Sequence, residues 1–208
     1  MTTKELKQVE RKPRGRPRAF DTETALDTGQ RLFHTSGYES VGLAALTDAL
    51  GVKPPSFYKA FGSKAEFFSL VLDRYARSVL TLDDILLPGR APVDAMAALL
   101  ESAASTYARD PHQRGCLVLE AVRGLQDDES VLYARKIADS RRVQIREFIA
   151  QTHPECAAAA TDYVASTLSG LSASAREGMN EARLLRVAEV AVAGLRQLLQ
   201  PEGRDVTD

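Results

Sequence analysis

Residues 43–64 read LAALTDALGVKPPSFYKAFGSK, two short helical patterns hinged at Gly51. Leu43, Leu46 and Leu50 fall at i, i+3 and i+7, which gives the first pattern a single apolar face that must be buried. Gly51 ends it, because a left-handed turn residue reverses the chain without a Cβ clash and lets Val52 pack into the angle between the helices. Pro54 and Pro55 suit the first turn of a second helix, where the backbone N–H has no internal partner. Phe57 and Phe61 repeat at i, i+4 and face the core, which leaves Lys53, Ser56 and Lys59 pointing elsewhere and Tyr58 at the rim. After the break at Gly62, Ser63 is placed to cap a third helix that starts at Lys64 and carries Glu66 in its first turn. Two short helices across a tight glycine turn form the layout of a helix-turn-helix, whose second helix enters a DNA major groove.

The rest of the chain sets the frame for that motif. With 208 residues and 44% hydrophobic side chains it is long enough for one small and one larger domain with real cores. No apolar run approaches the roughly 18 residues that span a bilayer, and the charged N-terminus is not followed by an apolar stretch. A cytoplasmic location is expected. Cys116 and Cys156 are far apart in sequence and are expected as reduced thiols rather than a structural disulfide.

The net charge of -1 hides an asymmetry. Residues 1–20 hold Lys4, Lys7, Arg11, Lys12, Arg14, Arg16 and Arg18 against Glu5 and Glu10. Local positive charge favours nucleic acid whatever the overall pI of about 6.3. Within this arm PRGRPR, residues 13–18, resembles an AT-hook core: glycine allows close approach, prolines keep the strand extended, and Arg14, Arg16 and Arg18 meet the negative potential of a narrow minor groove. A basic disordered arm that only adds non-specific affinity through counterion release is the other reading.

GVKPPSFYKAFGSKAEFF, residues 51–68, resembles the recognition-helix region of the TetR/AcrR family of bacterial transcriptional repressors, whose usual run is close to GVSKGTLYHYFGSKEEL. The likeness extends upstream through Ala25, Leu32, Phe33, Gly37 and Tyr38, and covers about the first third of the chain at the level of motifs. The resemblance implies that Tyr58, Lys59 and Lys64 touch phosphates, while Lys53, Pro54, Pro55 and Ser56 face the groove floor. This chain departs from the family pattern at Val41 and Gly42, where a hydroxyl cap is usual, at Thr47, where alanine is usual, and in its double proline, which removes N–H donors from the recognition helix.

Helical patterns are expected at 21–36, 43–50, 54–60, 64–82, 92–109, 114–125, 128–151, 155–176 and 181–199, broken by Pro88, Gly89 and Pro92, by Asp110 and Pro111, by His153 and Pro154, and by Gly178 and Asn180. The expected class is all-α with nine helices in two domains. Residues 1–19 form the disordered arm, 20–63 the helix-turn-helix domain, 64–200 a ligand-binding and dimerisation domain, and 201–208 a disordered tail. Helix eight is rich in small residues and carries Val164, Leu168 and Leu171. Helix nine sets Leu184, Ala188, Ala191, Leu195 and Leu198 on one side with Leu185, Val192 and Leu199 beside it. These stripes are expected to form a homodimer interface, a four-helix bundle by the resemblance, so that two recognition helices reach successive major grooves of a palindromic double-stranded operator about 34 Å apart. Burial of the broad face within one chain is the competing outcome.

Nothing in the sequence points to catalysis. There is no Gly-x-Ser-x-Gly, phosphate loop, Cys-x-x-Cys or Glu-x-x-His, and His34, His112 and His153 are scattered. No catalytic residue, cofactor or metal is expected. His34, near the end of the first helix, is placed to favour its dipole or a phosphate, and reads more simply as a plain surface residue. The resemblance implies a small-molecule pocket among helices four to eight, with Phe68, Tyr75, Tyr107, Cys116, Glu120, Arg123 and Tyr163 as candidate lining residues. Cys116, after Arg114 and Gly115 at an expected helix start, is a candidate redox or electrophile sensor or a small buried hydrophobe. Glu120 and Arg123, three apart, are placed to pair with each other. The expected function is a ligand-responsive DNA-binding repressor. A Cys116-based redox regulator and an architectural protein of A·T-rich DNA are the alternatives.

Overall fold

The computed structural model describes residues 21–124 and 128–200, so Arg14, Arg16 and Arg18 and the tail from 201 lie outside the described residues. Among the described residues the order is α1 (Thr22–Ser36), α2 (Leu43–Leu50), α3 (Pro54–Phe61), α4 (Lys64–Ser78), a 3-10 turn (Leu82–Asp84), α5 (Pro92–Arg109), α6 (Leu117–Ala121), α7 (Glu129–Ala150), α8 (Ala157–Arg176) and α9 (Glu181–Leu198), with no strand. Side-chain caps open several of them: Asp21 accepts from the Glu23 N–H, Asp128 from the Ser130 N–H and Asn180 from the Arg183 N–H. Ser63 and Glu66 form a full capping box at α4. Gly42 begins α2 with no side-chain bond. Val41, the other departure from the family pattern there, is only 2% exposed and fills the core instead.

α1 packs along α4, α3 meets the first half of α4, and α2 rests on α1 and α3. Arg74 of α4 donates to Gln30 Oε1 (2.7 Å) and pairs with Glu23 and Asp27 (both 3.3 Å), all on α1. Below this latch Phe33, Phe57, Phe61, Phe67 and Phe68 form a continuous aromatic core. The expected domain boundary at 63/64 thus falls at a helix start and not at a gap in packing. In the second half α5 lies against α8 and α9, and α7 against α4, α6 and α8.

Two helices stop short of their expected ends for tertiary reasons. α4 was expected to continue to 82 but ends at Ser78: Val79 is extended and Leu80 has a left-handed backbone at φ 53°. The helix expected over 114–125 is reduced to Leu117–Ala121. Gly115, at φ 80°, brings the chain so close to α8 that a Cβ there would lie 2.9 Å from the Ser172 carbonyl oxygen, and the Cys116 N–H donates to Ser172 Oγ (2.9 Å). The Cys116 N–H, which a helix starting here leaves without an internal partner, is thus satisfied across the core, and the left-handed Gly115 sets where α6 begins.

The stripes expected at a dimer interface turn inward. Val164, Leu171, Leu184, Ala188, Ala191 and Leu195 are buried within the chain and Leu168 is half-buried. The reason is α5, whose Ala95, Leu99, Ala103 and Ala104 offer a face of small and apolar residues to which α8 and α9 pack. Leu198, also expected at the interface, stays outside, and with it a neighbouring stripe: Ala159, Tyr163, Ser166 and Gly170 on α8, and Val187, Val190 and Gly194 on α9. Both repeat at helical spacing, and they adjoin, since the Tyr163 hydroxyl lies 2.8 Å from where a Cβ of Gly194 would stand.

Candidate nucleic-acid interface and effector cavity

Phe57 and Phe61 are 0% and 7% exposed and anchor α3 on Phe67, with ring centroids 5.4 Å and 4.5 Å away. That orientation sets Lys53, Pro54, Pro55, Ser56, Tyr58 and Lys59 in solvent together, Tyr58 at 52% exposure. Lys53 is the N-cap residue and the two prolines occupy the first turn. The first N–H after them, that of Ser56, already donates to the Lys53 carbonyl (2.9 Å). The start of α3 therefore offers side chains rather than backbone donors to a groove.

Lys64 is engaged within the protein. Its Nζ donates to the Tyr38 carbonyl (2.9 Å) and lies 4.0 Å from the centroid of the Tyr38 ring. Partial burial pulls its pKa down from the usual lysine value, with Glu39 and Asp128 opposing. It ties the first turn of α4 to the α1–α2 connection, so a phosphate contact implied by resemblance has to compete with this bond.

His34 is not a surface residue. It is 4% exposed, stacked edge-on against Tyr75 of α4 at 5.6 Å, with Nε2 lacking a hydrogen-bond partner among the described residues. Arg176 of α8 donates to the His34 carbonyl and to the Arg114 carbonyl (both 3.3 Å), so the ring sits where α1, α4 and α8 meet. Burial first, then the Arg176 guanidinium, lowers its pKa to about 4 from 6.5, while Asp110 acts the other way. A histidine whose folded pKa lies below its unfolded one binds fewer protons when folded, so its full contribution is present above pH 6.5 and drains away as pH falls toward 4. The expected loss is about 3 kcal/mol over that window. Urea midpoints of the wild type should fall between pH 7.5 and 4.5 more steeply than those of His34→Phe. Parallel slopes would show that another group carries the acid sensitivity.

A cavity of about 410 Å³ lies between α5, α6, α7 and α8, lined by apolar residues such as Leu82, Leu99, Val118, Ile145 and Leu168. Of the expected ligand residues it collects Tyr107, Cys116 and Arg123. Phe68 and Glu120 line a smaller space of about 240 Å³ against α1, again with Arg123. Arg123 pairs with Glu120 (3.4 Å), as expected, and Glu120 also meets Arg176 (3.5 Å). Tyr75 is buried, its hydroxyl and that of Tyr107 beside the Cys116 thiol. Burial, and then this neighbour, pushes both phenols above their usual range. Tyr163 belongs to the outer face of α8 and to neither cavity. Cys116 is 4% exposed at the start of a five-residue helix, so the long helix expected to activate its thiol is absent.

Sequence reasoning missed Leu80, Arg135, Arg141 and Arg142 in the larger cavity. Arg135 and Arg142, at i and i+7, are the only hint in the sequence, and such a pair reads equally well as a solvated helix face. Among the described residues no group of three or more His, Cys, Asp or Glu side chains is arranged to hold a metal ion.

Comparison with known proteins gives a consistent result. A family model described as bacterial regulatory proteins, tetR family, matches residues 25–71. The chain is 36% identical over 201 residues to the HTH-type transcriptional repressor BdcR of Escherichia coli (strain K12), covering 96% of this chain and 100% of that one. It is 29% identical to the repressor ComR of the same organism, over 87% and 91% of the two chains. Among solved structures, a cysteine mutant of the TetR family transcriptional regulator CifR complexed with 26 bp double-strand operator DNA superposes with a TM-score of 0.73 at 32% identity, covering 86% of this chain and 98% of that one.

Proposed function

Because the chain belongs to the tetR family of bacterial regulatory proteins, we propose that it is a homodimeric repressor that holds a palindromic operator through α3 and leaves it when a small molecule occupies the α7 cavity. The observation that carries this reading is the division of α3, with Phe57 and Phe61 buried and Lys53, Ser56, Tyr58 and Lys59 exposed as a group. Lys53 and Ser56, at the entering end, read base edges; Tyr58 and Lys59 hold phosphates and fix the register. Residues 20–63 supply DNA recognition, and 64–200 supply the effector cavity and the dimer contact. The arm with Arg14, Arg16 and Arg18 adds affinity. Cys116 is a buried wall residue of the cavity. The protein works in the cytoplasm, where its operator is; among the described residues no helix is long and apolar enough to cross a membrane.

The dimer contact is the exposed stripe of Tyr163, Val187, Val190 and Leu198, which places four large apolar or aromatic side chains on one outer face of α8 and α9. A continuous exposed patch of this kind is the usual mark of a partner surface.

The reading is tested by footprinting the protein on the intergenic DNA upstream of its own gene and measuring affinity for the protected sequence and for scrambled DNA. Lys59→Ala should weaken both to a similar extent and lower the salt slope by about 1. Ser56→Ala and Lys53→Ala should change the ranking of operator variants, with about 1–3 kcal/mol lost at the base each one reads. Equal losses on every sequence would remove the base-reading role.

A further inference from the structure

Taking the α7 cavity as the effector site, as proposed above, we infer that its ligand is an organic carboxylate with an apolar body, and that Arg141 transmits its binding to α4. The lining is two-sided. Leu82, Leu99, Val118, Ile145 and Leu168 make an apolar floor, while Arg123, Arg135, Arg141 and Arg142 contribute guanidinium groups against one acid, Asp139. Arg135 and Arg142 make no ion pair or hydrogen bond with the described residues, and a guanidinium matches a carboxylate through two parallel N–H donors. An amine is disfavoured by Arg135, Arg141 and Arg142, whose charge only Asp139 opposes in the lining once Arg123 is paired with Glu120, and a neutral hydrocarbon leaves the arginines unused.

Arg141 has a second role. One of its terminal nitrogens, Nη2, donates to the carbonyls of Ala76 (2.6 Å) and Val79 (3.1 Å), at the C-terminal end of α4. A helix leaves its last carbonyls without internal partners, so α7 caps α4 from within the cavity wall. The next residue, Leu80, also lines the cavity and holds a left-handed backbone (φ 53°) that a leucine adopts only under constraint. Both restraints on the end of α4 therefore face the ligand space. A carboxylate drawing Arg141 into a charge-assisted pair removes the cap, because that pair is stronger than bonds to neutral carbonyls. Freed there, α4 shifts, and Phe67 on its first half moves with it beneath Phe57 of the recognition helix.

The test uses the full chain and ligands that differ in the head group: octanoate against 1-octanol and octylamine, and 2-naphthoate against 2-naphthol. Calorimetry reads binding to the protein, and fluorescence anisotropy reads the footprinted operator with and without each compound. At least one carboxylate should bind 10-fold or more tighter than its matched alcohol and weaken operator binding at least 5-fold, the lower end of ordinary allosteric coupling. Arg142→Gln should reduce carboxylate affinity about 10-fold. Arg141→Gln should leave less than a 2-fold response of operator affinity to saturating carboxylate. If neither carboxylate binds, or alcohols bind equally well, the ligand class is wrong; a full response in Arg141→Gln overturns the cap as the transmitter. Normal footprinting together with either failure refutes this inference alone, whereas no site-specific footprint refutes the regulator reading on which it rests.

Discussion

Val190→Arg is expected to convert the dimer to monomers and to weaken operator binding by about 10²- to 10⁴-fold, the factor lost when two linked half-site contacts become independent. Val190 is 68% exposed, the most open of the large apolar side chains among the described residues, and stands on α9 between Val187 and Gly194 on the outer stripe. Across a two-fold axis the same stripe meets its own copy, so the substitution sets two guanidinium groups in one apolar contact. Sedimentation of the variant should give a single species near 22.7 kDa. Leu184→Ala provides the contrast. Leu184 is 0% exposed against α5, so its truncation should lower the melting temperature of each protomer through a cavity and leave the partner surface intact. A Val190→Arg protein that remains dimeric would place the contact elsewhere.

Phe67→Ala should cost about 3–5 kcal/mol, a large share of the roughly 5–15 kcal/mol that holds a domain together. Its ring, 0% exposed, meets Phe33 at 6.2 Å, Phe57 at 5.4 Å and Phe61 at 4.5 Å, so a single side chain on α4 supports both α1 and the recognition helix. With eight residues, α3 is too short to persist without that support. Denaturant unfolding should show the loss, and operator affinity should fall even under conditions where most of the chain stays folded. The same ring explains Gly29. A Cβ at Gly29 would lie 2.5 Å and 2.7 Å from two ring atoms of Phe67, so Gly29→Ala should cost about 1–3 kcal/mol by overpacking. In the Phe67→Ala background that penalty should largely vanish, a coupling that a double-mutant cycle measures directly. Additive losses would mean that Gly29 and Phe67 do not share the space the structure assigns them.

These residues also mark what could be read in advance. Phe57 and Phe61 were legible as core because their spacing on a proline-started helix leaves one orientation. Phe67 and Phe68 adjoin in sequence and are both buried, and spacing alone did not show which of them lies beneath the recognition helix. His34 read as a surface residue because a lone histidine near a helix end carries no periodic signal, and only the meeting of α1, α4 and α8 encloses it. The arginines of α7 were invisible as a site for the same reason: an arginine over a cavity and one over solvent have the same spacing.

The sequence by itself determined the helical class, the position of the helix-turn-helix, and the limits of α2 and α5, because capping residues, prolines, glycines and apolar repeats act within a few residues of themselves. The tertiary structure alone decided where α4 ends, since Arg141 bonds its last carbonyls from α7, and where α6 begins, since Gly115 is drawn against Ser172 of α8. It also decided which stripe of α8 and α9 faces outward. Each helix carries enough small and apolar residues to bury more than one face, and the choice belongs to α5, which covers one stripe and leaves Tyr163 and Val190 exposed.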